Sequence, residues 1–222
     1  MRVYPKLLCL FVSAFCFATA AFAQTPSPSP SSEPRAILVV GDSLSAEYGL
    51  QRGSGWVALL SQRIAEQYPN YRVVNASISG DTTSGGLSRL PALLEREHPA
   101  VVIIELGSND ALRGLSLQMT EQNLRGMTQR AREAGAQVLL VGMQIPPNYG
   151  RDYTQRFAAL FPTIAKAEDA SLAPFLLDGI ATDREQFQAD GIHPNEQAQP
   201  ALLENVWAAL RPILETTLAQ KR

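Results

Sequence analysis

Ile37-Leu-Val-Val-Gly-Asp-Ser-Leu-Ser45 is the stretch that decides the fold. Ile37 to Val40 are consecutive apolar residues ended by Gly41, the pattern of a short buried strand. Glycine lets the backbone turn sharply, and Asp42 and Ser43 follow where the strand meets the next helix. Ligands of an open parallel sheet bind just outside the carboxyl ends of its strands, which places Ser43 at the functional edge. Asp and Ser are also favoured at helix starts, so a capping pair explains this tripeptide equally well.

Working outward, strands alternate with helices. Strand patterns lie at Tyr71–Asn75, Ala100–Leu106 and Gln137–Gly142, with a weak fifth at Pro174–Leu177. The first helix is expected over Gly53–Tyr68, where Trp56, Leu59, Leu60 and Ile64 recur at helical spacing and Pro69 follows. Asp81 is expected to cap a second helix, which Pro91 interrupts and His98-Pro99 ends. Leu117–Ala134, Tyr153–Lys166 and Glu196–Leu218 read as further helices. The alternation predicts an α/β fold in three layers, α/β/α, around a doubly wound five-stranded parallel sheet of flavodoxin-like order.

The chain has 222 residues, 45% of them hydrophobic, which suits one domain with a sizeable core. A formal net charge of −2 without a long run of either sign gives no reason to expect a nucleic-acid partner. Residues 1–23 read as a signal peptide: Arg2 and Lys6, an apolar run from Leu7 to Ala20, then Ala21-Phe-Ala23 before Gln24. An uncleaved anchor is the alternative, although the apolar run is short for a membrane span. Residues 24–34 alternate Pro and Ser and read as an extended linker, leaving 35–222 as the folded domain. Both cysteines, Cys9 and Cys16, fall within the signal, so the mature chain is expected to be free of thiols. The implied location is outside a bacterial cytoplasm, periplasmic or secreted, with no stable membrane insertion once the signal is removed.

Four polar stretches fall at or beyond strand ends: Gly41-Asp-Ser43, Ser79-Gly-Asp81, Gly107-Ser-Asn-Asp110 and Asp190-Gly-Ile-His-Pro194. Acyl transfer by serine needs a nucleophile, a base, a group that orients the base, and donors for an oxyanion. Ser43, His193 and Asp190 suit the first three roles. The N–H groups of Ser43 and Gly80 and the amide of Asn109 suit the fourth. Each stretch also has a plain structural reading, as a turn, a helix cap or a surface residue. Of the two histidines, His98 precedes the third strand and so lies at the opposite edge of the sheet. A metal site is not expected, since no thiolate remains and the histidines lie on opposite edges; no cofactor is expected either.

These stretches resemble the sequence blocks of the GDSL, or SGNH, hydrolase family: Ser43 in Gly41-Asp-Ser-Leu44, then Gly80, Asn109 in Gly107-Ser-Asn-Asp110, and His193 in Asp190-Gly-Ile-His193. The wording of Asn75–Thr83 and Pro147–Gly150 is similar to the bacterial periplasmic thioesterase/lysophospholipase/arylesterase branch. That resemblance implies a metal-free serine esterase acting on acyl esters and thioesters, lysophospholipids included. Ser108 departs from the branch, where a second glycine is common. The G-x-S-x-G motif of α/β-hydrolases is absent, because Ser45 stands at its last position.

Leu44, Leu112, Leu115, Ile145, Pro146 and Tyr149 lie on the loops expected to border Ser43 and are the candidates for acyl-chain binding. Their apolar character favours medium to long acyl chains over acetylated sugars. Two other readings stand beside the esterase: a carbohydrate O-deacetylase of the same family, and a flavodoxin-like binding module. The first-strand loop lacks the glycine density of a phosphate cradle, which weighs against the module. A monomer is expected.

Overall fold

Arg35–Gly41 form the first strand, β1, and every residue after Arg35 is buried. The structure is a computed structural model that describes Met1 and residues 33–219. The signal expected over 1–23 and nearly all of the linker lie outside those residues. Four more strands follow: β2 at Tyr71–Asn75, β3 at Val101–Glu105, β4 at Gln137–Val141 and β5 at Ser171–Ala173. They form one parallel sheet in the order β2-β1-β3-β4-β5, which is the expected flavodoxin-like order.

The helices are α1 at Trp56–Gln67, α2 at Thr83–Glu97, α3 at Ser108–Leu112, α4 at Leu117–Glu133, α5 at Arg151–Ala167 and α6 at Gln199–Ala219. α1 packs against α6 on one face, while α2, α4 and α5 pack in series on the other. A strand covered on both faces must be apolar throughout, and Val101-Val-Ile-Ile104 of β3 has no exposed surface. Truncating Ile103 or Ile104 to Ala in such packing costs about 2–5 kcal/mol.

Two local expectations are corrected. The fifth strand is Ser171–Ala173 rather than Pro174–Leu177, because its ladder partners on β4 are Leu139, Leu140 and Val141. Pro174 has no N–H to give a ladder, and the apolar run behind it turns into the core instead, Leu176 and Leu177 being buried. The cap of α2 is Thr82, whose side chain accepts from the Gly85 N–H; Asp81 forms an ion pair with Arg89 at 2.8 Å. Gly107-Ser-Asn-Asp110 runs directly into the short helix α3, which begins at Ser108.

In this strand order the connections from β1 and β3 leave towards opposite faces, and the loops after those strands diverge. A crevice opens there at the carboxyl ends of the strands. Ser43 lies just beyond β1, and Asn109 lies on α3 just beyond β3.

Candidate active site

Ser43 sits in a tight turn built by its neighbour. The Asp42 carboxylate accepts from the Leu44 N–H at 3.0 Å, and the Asp42 carbonyl accepts from the Ser45 and Ala46 N–H groups. Asn75, the last residue of β2, donates its side-chain amide to the Ser45 carbonyl at 2.8 Å. Gly41 is required here by space rather than by an unusual φ. A Cβ on it would lie 2.7 Å from Ser45 Oγ and 2.9 Å from Glu105 Oε2.

His193 reaches this turn from a loop far along the chain. Its Nε2 lies 2.9 Å from Ser43 Oγ, and its Nδ1 lies 2.7 Å from Asp190 Oδ2. The other oxygen of Asp190 accepts from the N–H groups of Ile192 and His193. Partial burial works against the Asp190 charge, but these donors and the imidazole outweigh it and hold the carboxyl at about 2. An ionised carboxylate on Nδ1 fixes the imidazole with Nε2 facing the hydroxyl, free to take a proton.

The loop is held at both ends. Phe187 and Pro194 form an antiparallel bridge, and the Gln188 N–H donates to the His193 carbonyl at 2.8 Å. Arg184 donates to the carbonyls of Gln188 and Ala189. The Gln188 side chain crosses to the serine turn and donates to the Tyr48 carbonyl at 2.9 Å. The ring of Tyr48 lies 4.5 Å from that of His193, tilted by 40°.

The three expected oxyanion donors differ in setting. Neither the Ser43 nor the Gly80 N–H has a hydrogen-bond partner among the described residues. Gly80 has φ +78°, a conformation that favours glycine, whereas the nearest group to an added Cβ would be Arg113 at 3.7 Å. Conformation, not crowding, is what requires glycine there. Arg113 donates to the Gly80 carbonyl at 2.9 Å and ties that loop to α3. Asn109 donates one of its amide hydrogens to Asp42 Oδ2 at 3.0 Å and keeps the second. Asp110 is buried and accepts from the Thr83 N–H at 2.9 Å, which fastens α3 to the start of α2.

A cavity of about 500 Å³ opens beside Ser43, Asn109 and His193, within the usual size range of small-molecule sites. Leu44, Leu112, Ile145 and Pro146 line it as expected. Leu115 and Tyr149 do not: both are exposed and lie outside the cavity wall. Met143, Phe175, Leu177, Phe187 and Ile192 add to the apolar lining, with Pro147 and Ala181 beside them. Nothing local in the sequence marks the first five, because the fold brings them together from the ends of β4 and β5 and from the histidine loop. Among the described residues no cluster of His, Cys, Asp and Glu has the arrangement to hold a metal ion. No helix among them is long and apolar enough to cross a membrane.

Residues 39–200 match the GDSL-like lipase/acylhydrolase family. The chain is 56% identical over 178 residues to esterase TesA of Pseudomonas aeruginosa, spanning 80% of this chain and 89% of that protein. It is 44% identical over 178 residues to thioesterase 1/protease 1/lysophospholipase L1 of Escherichia coli, spanning 80% of this chain and 84% of that protein. The psychrotrophic esterase EstA of Pseudoalteromonas sp., solved inhibited by monoethylphosphonate, superposes with a TM-score of 0.77 at 39% identity, covering 82% of this chain and 99% of that one.

Proposed function

This chain belongs to the GDSL-like lipase/acylhydrolase family, and from that premise we propose that it is a serine esterase cleaving acyl esters and thioesters, lysophospholipids included, through an acyl-enzyme on Ser43. The observation that carries this reading is the Ser43–His193–Asp190 relay, with links of 2.9 and 2.7 Å. His193 Nε2 takes the hydroxyl proton as Ser43 Oγ attacks the acyl carbonyl. The carbonyl π electrons move onto its oxygen, which is met by the N–H groups of Ser43 and Gly80 and the free amide hydrogen of Asn109. As the tetrahedral carbon collapses, the bond to the leaving oxygen or sulfur breaks and His193 returns the proton to it. Water then repeats the sequence on the acyl-enzyme, releasing the carboxylic acid and restoring Ser43. Asp190 stays ionised throughout and stabilises the imidazolium.

The apolar lining supports an acyl chain rather than a sugar in the cavity, which sets the esterase above the O-deacetylase. All groups of the relay come from one chain, so the site is complete in a monomer. The leader of residues 1–23 supports export to the periplasm or beyond.

The test is hydrolysis of p-nitrophenyl esters of rising chain length, alongside an acyl thioester, a lysophospholipid and acetylated xylan oligosaccharides. An ethyl p-nitrophenyl phosphonate should inactivate the protein stoichiometrically: Ser43 Oγ displaces p-nitrophenol at phosphorus and leaves the ethyl phosphonyl group on the peptide holding Ser43. Best turnover on acetate and the acetylated sugar would replace the esterase by the deacetylase. Absence of all hydrolysis, with no phosphonate adduct, would leave the binding module.

A further inference from the structure

Two buried carboxyl groups lie beneath Ser43 and take no part in the relay. Asp42 is 1% exposed and Glu105, the last residue of β3, is wholly buried. Burying acidic groups side by side is costly, so each needs a physical account.

Asp42 is fixed on both sides. One oxygen accepts from the Leu44 N–H at 3.0 Å, and the other accepts from Asn109 Nδ2 at 3.0 Å. The Asn109 amide is nearly symmetric in shape and has two orientations. In one its NH2 group serves both Asp42 and an oxyanion; in the other its carbonyl oxygen faces the oxyanion and repels it. A carboxylate only accepts hydrogen bonds, so an ionised Asp42 rejects the second orientation. We propose that Asp42 is a positioning residue for the reaction: its carboxylate holds the Asn109 amide with the donor edge towards the reacting carbonyl. This inference rests on the reading of Asn109 as an oxyanion donor.

Glu105 completes the arrangement. Its Oε2 accepts from the Asp42 N–H at 3.4 Å and lies 2.6 Å from Ser45 Oγ, while its Oε1 has no partner among the described residues. Glu105 is wholly buried and the Asp42 charge lies beside it, so Glu105 is the member of the pair that keeps a proton. Burial pushes Asp42 up to about 6 and the Asp81 charge adds to that push, while the Leu44 and Asn109 hydrogen bonds and His193 pull it back down. Burial and then the Asp42 charge push Glu105 well above the carboxylate range. The charged or titratable groups around Asp42 are therefore Glu105 on β3, His193 on its loop and Asp81 after β2, with Arg89 of α2 reaching the Gly41 carbonyl at 3.4 Å.

The decisive variant is Asp42→Asn. The Leu44 N–H claims its single carbonyl oxygen, which leaves the new NH2 group facing Asn109. Two donors then confront each other, and the Asn109 amide turns over. Asp42→Ala only releases that amide. Measured on p-nitrophenyl butyrate, Asn109→Ala should lower kcat by roughly 10²–10³. Asp42→Asn should lower kcat at least as far, with KM within about twofold of the parent, and the double variant should be no worse than Asn109→Ala alone. Asp42→Ala should fall between the parent and Asn109→Ala. A purely structural role predicts the reverse order, since Ala leaves both the Leu44 N–H and a void unfilled. Parent-like kcat in Asp42→Asn, multiplied losses in the double variant, or Asp42→Ala below Asp42→Asn overturns the proposal. Should Asp42→Asn not fold, Asp42→Ala decides, and a kcat equal to the parent's or below that of Asn109→Ala overturns it. Unchanged kcat in Asn109→Ala would instead remove Asn109 from the oxyanion site, a separate failure.

Discussion

Tyr48 and His193 stack at 4.5 Å, although one lies in the serine turn and the other in the loop near the end of the chain. The tyrosine is half exposed, so its ring shields one face of the imidazole rather than filling the core. Aromatic pairs of this kind contribute about 0.5–1.5 kcal/mol. Tyr48→Ala should therefore lower kcat/KM by roughly two- to tenfold, with little change in Tm. Tyr48→Phe should restore the rate, because the ring and not the hydroxyl makes the contact. A Tyr48→Ala enzyme with parent-like kcat/KM would reduce the stacking to an incidental contact.

Removing the relay has larger effects. Ser43→Ala and His193→Ala should each cost several powers of ten in kcat while the far-ultraviolet dichroism stays unchanged. Asp190→Asn should cost less than Ser43→Ala, since it spoils the tautomer without removing the nucleophile. His98→Ala should be silent in rate assays, as His98 caps the far end of α2. Parent-like turnover in Ser43→Ala or His193→Ala would refute the relay.

The buried acid pair sets a pH trend in stability. A carboxyl whose folded value is raised keeps its proton while the unfolded chain, with a value near 4.3, has already released it. Stability then falls as pH rises from about 4.3, and the full cost is present above the folded value. Glu105→Gln has no such titration. Urea melts at pH 5, 7 and 9 should show the variant gaining on the parent as pH rises, whatever their offset at pH 5. Parallel curves would mean that Glu105 is ionised in the folded state.

Crowding at Gly41 gives a prediction of a different kind. Gly41→Ala places a methyl group against Ser45 and Glu105, and overpacking of this sort costs about 1–3 kcal/mol. In a domain of this size Tm should drop by roughly 2–12 °C in a thermal melt. An unchanged Tm would show that the Ser45 and Glu105 side chains give way freely.

Export is checked by the mass of the chain recovered outside the cytoplasm, which should begin at Gln24. A full-length chain retaining Met1 in the membrane fraction would favour the anchor.

How far the molecule can be read from its sequence depends on whether the signal is local. β1 and β3 are continuous apolar runs covered on both faces, and the sheet order follows from their alternation with helices. Ser43, Gly80, Asn109 and His193 stand at strand ends or beyond, so the polarity of the sheet places them. β5 escapes because an edge strand of Ser171-Leu-Ala173 carries almost no pattern, while the stronger Phe175-Leu-Leu177 run behind it packs as a turn. Leu115 and Tyr149 are on the expected loops but face outward, which sequence position does not reveal. Gln188, Tyr48 and Glu105 act through partners 140, 145 and 60 residues away respectively, and no local pattern announces them.

The hydroxyl and the imidazole that must meet are separated by 150 residues. Ser43 follows the first strand, whereas His193 comes after the fifth strand in the chain. Contacts of such long sequence separation are among the last to pay back their loop-closure entropy. Hydrolysis should therefore switch on late in folding, once the Gln188 side chain reaches the Tyr48 carbonyl. Recovery of esterase activity during refolding should lag behind recovery of helix content, which makes the enzyme its own clock for the final docking step.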